Sequence, residues 1–154
     1  MRKPPLYVLD TNVLVHLCRG DSLGEHVNAT YNLTNQAYRP LICIVTHGEA
    51  LSFAELNNWG PPKRHKLKEL LDNLVTVDIS VPEVLAAYAE LDAVSQRHPD
   101  GARSMGKNDL WIAAVTRVAH GTLITTDRDF DHLHPTWIKR EYLDPERFRG
   151  SRPR

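Results

Sequence analysis

The stretch Leu6-Tyr7-Val8-Leu9-Asp10-Thr11-Asn12-Val13-Leu14 decides the fold class. Leu6 to Leu9 is an apolar run too short for a helix, and it stops abruptly at Asp10-Thr11-Asn12. That pattern reads as a buried strand ending at a polar edge. Val13 to Leu17 then begins a helix, which Gly20 closes.

The same phrase recurs along the chain. Leu41 to Val45 is a second β-branched apolar run, and Thr46 opens a helical stretch reaching about Asn57. Val75 to Ile79 reads as a third strand and Thr122 to Thr126 as a fourth, followed by the turn Asp127-Arg128-Asp129. Trp137 to Leu143 supplies a fifth. Between them lie helical patterns over Ser22 to Ala37, Lys63 to Leu74, Val84 to Gln96 with Pro82 at its start, and Asp109 to His120 with Gly121 as its cap. His98 to Met105 reads as a polar loop. Strands alternating with helices predict a parallel sheet of four to five strands covered on both faces, an α/β fold with right-handed crossovers.

With 154 residues the chain suits a single domain, assigned to 1–149, with 150–154 as a flexible tail. Apolar residues make up 42% and charged residues 25%, an ordinary globular balance. Lys plus Arg equals Asp plus Glu at 19 each, so net charge neither favours nor excludes a polyanionic partner. Cys18 and Cys43 sit in apolar runs and read as buried reduced thiols. No signal-peptide core and no 18-residue apolar stretch is present, which predicts a cytoplasmic protein with no membrane contact.

Acidic residues fall where an open α/β sheet gathers its ligands, at the carboxyl ends of strands. Asp10 ends the first strand, Glu49 follows the second, and Asp127 ends the fourth with Asp129 beside it. Asp109 opens the helix that leads into the fourth strand. If that helix ran the full height of the sheet, its start would lie at the opposite edge, and spacing alone leaves both placements open. Each acid also has a purely structural reading. Asp10 suits a turn or an N-cap, Thr46-His47-Gly48-Glu49 suits a capping box, and Asp109 suits a helix dipole. Taken together they point to metal. Crowded carboxylates raise one another's pKa values, and a hard divalent cation such as Mg²⁺ or Mn²⁺ reverses that cost. No HExxH, Cys/His zinc spacing, Walker A loop, GxSxG elbow or GxGxxG fingerprint competes with this reading.

Four blocks carry a resemblance to a known family: Val8-Leu9-Asp10-Thr11-Asn12-Val13-Leu14; Val45-Thr46-His47-Gly48-Glu49; Met105 to Ala114 with Asp109 at its centre; and Leu123-Ile124-Thr125-Thr126-Asp127-Arg128-Asp129-Phe130. In this order they resemble PIN-domain ribonucleases, specifically VapC-type toxins of toxin–antitoxin pairs. The resemblance implies a PIN-like three-layer α/β/α sandwich with strand order 3-2-1-4-5. It implies that Asp10, Glu49, Asp109 and Asp127 converge as catalytic and metal-binding residues, with Asp129 as an alternate fourth acid. Thr11, Asn12 and Thr126 then line the pocket. The implied reaction is endoribonucleolytic hydrolysis with one or two Mg²⁺ or Mn²⁺ ions, leaving 5′-phosphate and 3′-hydroxyl ends. The implied partners are RNA, a cognate antitoxin and a second copy of the chain. A noncatalytic RNA-binding domain and a metal-dependent phosphatase or DNA nuclease are the alternatives.

Arg103 and Lys107, just ahead of Asp109, are the candidate RNA contacts. Lys63, Arg64, Lys66 and Lys68 read as a solvated helix face. Trp59, in a loop, suits either base stacking or core capping.

Overall fold

A computed structural model describes residues 3–99 and 105–150 of the chain. Five short strands form one parallel sheet: β1 (Tyr7–Leu9), β2 (Leu41–Cys43), β3 (Val75–Val77), β4 (Thr122–Thr125) and β5 (Lys139–Tyr142). Their order is β3-β2-β1-β4-β5, with β1 pairing β2 on one side and β4 on the other. The helices are α1 (Thr11–Arg19), α2 (Ser22–Tyr31), α3 (Ile44–Leu56), α4 (Pro61–Asp72), α5 (Pro82–Arg97) and α6 (Lys107–Ala119).

The three-layer arrangement follows from the period of two in the strands. Leu9, Ile42 and Ile124 point into a core shared with α1 to α4, whereas Val8, Cys43 and Leu123 point into a second core shared with α5 and α6. Both faces of each central strand are therefore buried, which explains continuous apolar runs rather than alternation. Cys18 and Cys43 are both buried and free. Among the described residues no helix is long and apolar enough to cross a membrane.

Several elements differ from the sequence reading. β2 stops at Cys43, and the β-branched residues Ile44, Val45 and Thr46 belong to α3. Strand propensity gives way there because burial and packing, not intrinsic preference, decide short apolar runs. Thr46 therefore lies inside the first turn and does not cap the helix, so the capping box with Glu49 is not formed. The helix from Ser22 ends at Tyr31 because Asn32 takes the left-handed conformation at φ 50°, and a short 3₁₀ turn, Leu33–Asn35, follows. At the end of α6 the left-handed cap is His120, at φ 53°, rather than Gly121. Gly121 is small for another reason: a Cβ there would sit 2.9 Å from Val8 Cγ2 and 3.1 Å from the Leu6 carbonyl oxygen. Within Trp137 to Leu143 only Lys139–Tyr142 pairs as strand, and the third strand and the fourth end at Val77 and Thr125. Most of the polar loop after His98 and the tail beyond Gly150 lie outside the described residues.

The packing of α5 on α6 and the short link into β4 settle where α6 begins. Glu83, at the start of α5, borders the same surface hollow as Arg117 and Gly121 at the end of α6. Near the other end of α5, the Ser95 hydroxyl lies 3.2 Å from Met105 Sδ, two residues before α6. The two helices thus run antiparallel. Only His120 and Gly121 separate α6 from β4, so α6 ends at the sheet's amino edge and, running the height of the sheet, starts at the carboxyl edge, the reverse of the expectation from spacing.

Candidate metal centre

The order of the sheet reverses between β1 and β4, and the chain leaves both strands there, which opens a crevice at their carboxyl ends. Asp10 follows β1 directly and caps α1. Its Oδ1 accepts the Thr11 backbone N–H at 2.8 Å, and its Oδ2 accepts the Thr125 hydroxyl at 2.6 Å. Asp10 is only 4% exposed, and Thr125 is fully buried. The same Thr125 oxygen accepts the backbone N–H of Asp127 at 3.0 Å, so one hydroxyl ties the ends of β1 and β4 together. Asp127 in turn caps the following 3₁₀ turn, its Oδ1 accepting the Asp129 N–H at 2.8 Å.

Glu49 enters from the second turn of α3. The Thr11 hydroxyl donates to Glu49 Oε1 at 2.8 Å and lies 3.3 Å from the buried Thr46 hydroxyl. Asp109 enters from the first turn of α6, half-buried, and among the described residues its carboxylate accepts no hydrogen bond. Asp10, Thr11, Asn12, Glu49, Asp109 and Asp127 all line one open cleft of about 390 Å³. Oxygen atoms of Asp109, Asp127 and Asp129 come within 4.8 Å of one another, which brings Asp129 to the cluster as well.

The electrostatics show the cost of this crowding. Burial pushes the Asp10 carboxyl up to about 6, against the lowering pull of the Thr125 and Thr11 hydrogen bonds, and Asp127 and Glu49 add repulsion. Asp109 is pushed up to about 7, first by burial and then by Asp10, Asp127, Asp129 and Glu49. Both groups need a positive charge to be comfortable as carboxylates near neutral pH. The donor set fits a hard divalent cation, being all oxygen, rich in carboxylate and open to solvent on one side.

Residues 7–134 match the family model of the PIN domain. The chain belongs to the PIN domain family. Three solved structures share the PIN fold with it. One is VapBC2 from Rickettsia felis bound to a DNA fragment from the promoter, at 22% identity over 90% of this chain and 99% of that chain, with a TM-score of 0.73. The second is VapBC-1 from nontypeable Haemophilus influenzae, at 19% identity over 89% and 97%, TM-score 0.71. The third is DNA-bound VapBC from Salmonella typhimurium, at 21% identity over 90% and 98%, TM-score 0.68. No curated protein matches the chain in sequence.

Within this PIN domain, Thr126 is half-buried but is not among the residues bordering the cleft. Its neighbour Thr125 makes the contacts to Asp10 and Asp127. The resemblance pointed to Thr126, whereas the hydroxyl that reaches Asp10 belongs to Thr125, the last residue of β4. Asn108, Ser52, Phe53 and Leu56 also border the cleft and went unnoticed. They carry no distinctive spacing. Lys107 is exposed at the first residue of α6, and Arg103 lies outside the described residues. Trp59 is 7% exposed and packs edge-on against Phe53, so it is a core residue and not a free stacking platform.

Proposed function

We propose that this PIN domain is a Mg²⁺- or Mn²⁺-dependent endoribonuclease and the toxin of a toxin–antitoxin pair. The observation that carries the reading is the meeting of Asp10, Glu49, Asp109 and Asp127 in one cleft at the reversal point of the sheet. Asp10, Glu49, Asp109 and Asp127 would hold the ion, with Asp129 as the alternate fourth acid. A bound divalent ion there supplies a water of lowered pKa and neutralises charge on the scissile phosphate.

The protein's own residues do the rest. Thr125 holds Asp10 Oδ2 by donating to it, which fixes one carboxylate rotamer before any ligand arrives. Thr11 orients Glu49 in the same manner, aiming a second carboxylate at the cleft. Thr11 and Asn12 add neutral oxygens to the wall, where they can hold water without adding repulsion. Lys107, exposed at the start of α6 next to the cleft residue Asn108, is the candidate phosphate contact, and Arg103 keeps that role as an expectation from sequence alone. Hydrolysis by this route leaves 5′-phosphate and 3′-hydroxyl ends.

An antitoxin partner is supported by a similar structure described as a toxin–antitoxin complex from Klebsiella pneumoniae. An antitoxin covering the cleft and a second copy of the chain complete this proposal. The two buried free thiols suit a reducing cytoplasm.

The test is incubation of the purified protein with total RNA, with Mg²⁺, with Mn²⁺ and with EDTA, followed by mapping of new 5′ ends. Discrete 5′-phosphate ends that need either ion are expected. No cleavage with either ion, or equal cleavage in EDTA, contradicts the reading. Parallel arms with single-stranded DNA and a phosphomonoester separate it from the DNA nuclease and phosphatase alternatives.

A further inference from the structure

The cations of α4 divide into two kinds. Arg64 pairs with Glu55 at 2.8 Å and Lys68 with Asp72 at 3.3 Å, so those charges are spent locally. Lys63 and Lys66, on the same helix, and Arg19, at the end of α1, lie within ion-pair distance of no carboxylate among the described residues. All three are exposed. They also converge: the charges of Lys66, Lys63 and Arg19 all act on the buried Cys18 thiol. Lys66 Nζ would lie 3.3 Å from a Cβ on Gly20, which puts its ammonium at the carboxyl end of α1.

This strip abuts the carboxylate cleft through one residue. Phe53 borders the cleft, and the Arg19 guanidinium sits over its ring at 5.2 Å from the centroid. Phe53 packs on Trp59, and Lys63 Nζ sits over the indole at 5.4 Å. A negatively charged cleft thus continues into a positively charged strip along an aromatic floor. These three cations are committed to no ion pair among the described residues, and they lie beside a cluster of carboxylates that would itself repel a polyanion. Their arrangement suits a polyanion that must be drawn to a site whose own charge repels it.

We propose that Arg19, Lys63 and Lys66 form the track that holds the phosphates of single-stranded RNA flanking the scissile bond, with Phe53 as its junction with the cleft. The inference rests on the ribonuclease reading and adds the direction in which the substrate leaves the site. Arg64 and Lys68 are not part of the track.

The experiment measures binding of a fluorescein-labelled single-stranded RNA 12-mer by anisotropy, in EDTA and across a series of salt concentrations. The proteins are the unmodified chain, the triple variant Arg19→Gln/Lys63→Gln/Lys66→Gln, and Lys68→Gln as the paired-cation control. The triple variant is expected to bind roughly tenfold or more weakly at low salt, and its log–log salt slope to flatten by about 2, at ~0.7 per lost contact. Lys68→Gln should stay within about twofold, as a charge already neutralised locally contributes little. Circular dichroism confirms folding, which these exposed positions should not disturb. An unchanged affinity and slope in the triple variant overturns the track, and leaves the ribonuclease reading standing if metal-dependent cleavage persists. If the unmodified chain neither binds nor cleaves RNA, both fall together. Retained RNA affinity with lost binding of poly-L-glutamate also overturns the track, and assigns these cations to an acidic protein partner.

Discussion

Asp10 and Asp109 face the same cleft but are held there by different means. Asp10 is almost wholly buried, and both its oxygens accept protein hydrogen bonds, from Thr11 and Thr125. Asp109 is half-buried at the start of a helix, and among the described residues nothing donates to it. Both are pushed up in pKa, yet Asp109, with no hydrogen bond to pull it down, is pushed further. The difference separates a carboxylate whose geometry is built by the fold from one whose charge is left for a ligand to satisfy. A site with one fixed and one unsatisfied acid is preorganised on one side and poised on the other.

Replacement of each acid tests this contrast most strongly. Asp10→Asn should abolish RNA cleavage while preserving the circular dichroism spectrum. Asp109→Asn should also abolish cleavage but raise the melting temperature of the metal-free protein at pH 8, since it removes repulsion and breaks no hydrogen bond. Asp10→Asn should give no such rise, because an amide nitrogen cannot accept the bond that one carboxylate oxygen accepts. Equal shifts in the two variants would erase the distinction.

Thr125 comes next. Thr125→Val leaves Asp10 Oδ2 buried without its donor, which should cost ~1–3 kcal/mol of stability. Metal affinity and cleavage should fall ~10–100-fold, the usual effect of losing a residue that orients a ligand. Thr125→Ser should restore both. Cleavage untouched in Thr125→Val, measured as kcat/KM, would show that the fold does not need this bond to set the site.

A smaller effect separates the neighbouring acids of the β4 turn. Asp127 is tied to Thr125 through its backbone N–H and borders the cleft, whereas Asp129 is exposed. Asp127→Asn should lower metal-dependent cleavage by about tenfold or more, in the ~10–100-fold range for groups that support a metal site, and Asp129→Asn by less than about tenfold. The reverse order would make Asp129 the principal ligand.

Stability against pH tests both acids at once, without a substitution. In the unfolded chain Asp10 and Asp109 titrate near the ordinary 3.8, and in the folded protein near 6 and 7. Between those values the folded state binds more protons than the unfolded one, so stability falls as pH rises. The contribution is complete below about pH 4 and lost as pH climbs through 6 to 7. Metal-free protein should therefore show a melting temperature drifting down between pH 5 and pH 8, and saturating Mg²⁺ should flatten that drift at its upper end. A melting temperature that rises over this window without metal would contradict the assigned repulsion.

Much of this site was legible in the sequence, for a physical reason. A strand that ends in an acidic residue announces itself through the break in hydrophobicity, so Asp10 and Asp127 could be placed from the pattern alone. Asp109 could not. Its position follows from α6 entering β4 after only two residues, which fixes the helix's end at the amino edge, and from how far α6 then reaches along the sheet, which spacing does not report. The resemblance to a known family carried that residue. Thr125 was missed because the resemblance pointed to Thr126, and two consecutive threonines at a strand end carry no pattern that says which hydroxyl reaches Asp10. Thr46 was misread because Ile-Val-Thr favours strand locally while packing makes it helix. The pairing along α4 was only partly visible: Lys68 and Asp72 stand four apart on one helix, whereas Glu55 meets Arg64 only once α3 and α4 are packed.

The most direct test of the account is calorimetric titration of Mn²⁺ into the metal-free protein at pH 7, in two buffers of different ionisation enthalpy. Specific binding with release of protons is expected, as Asp10 and Asp109 give theirs up to the ion, and Asp10→Asn should lose that binding. Absence of binding in the unmodified protein, or equal binding in Asp10→Asn, would contradict the claim that these acids gather to hold a metal.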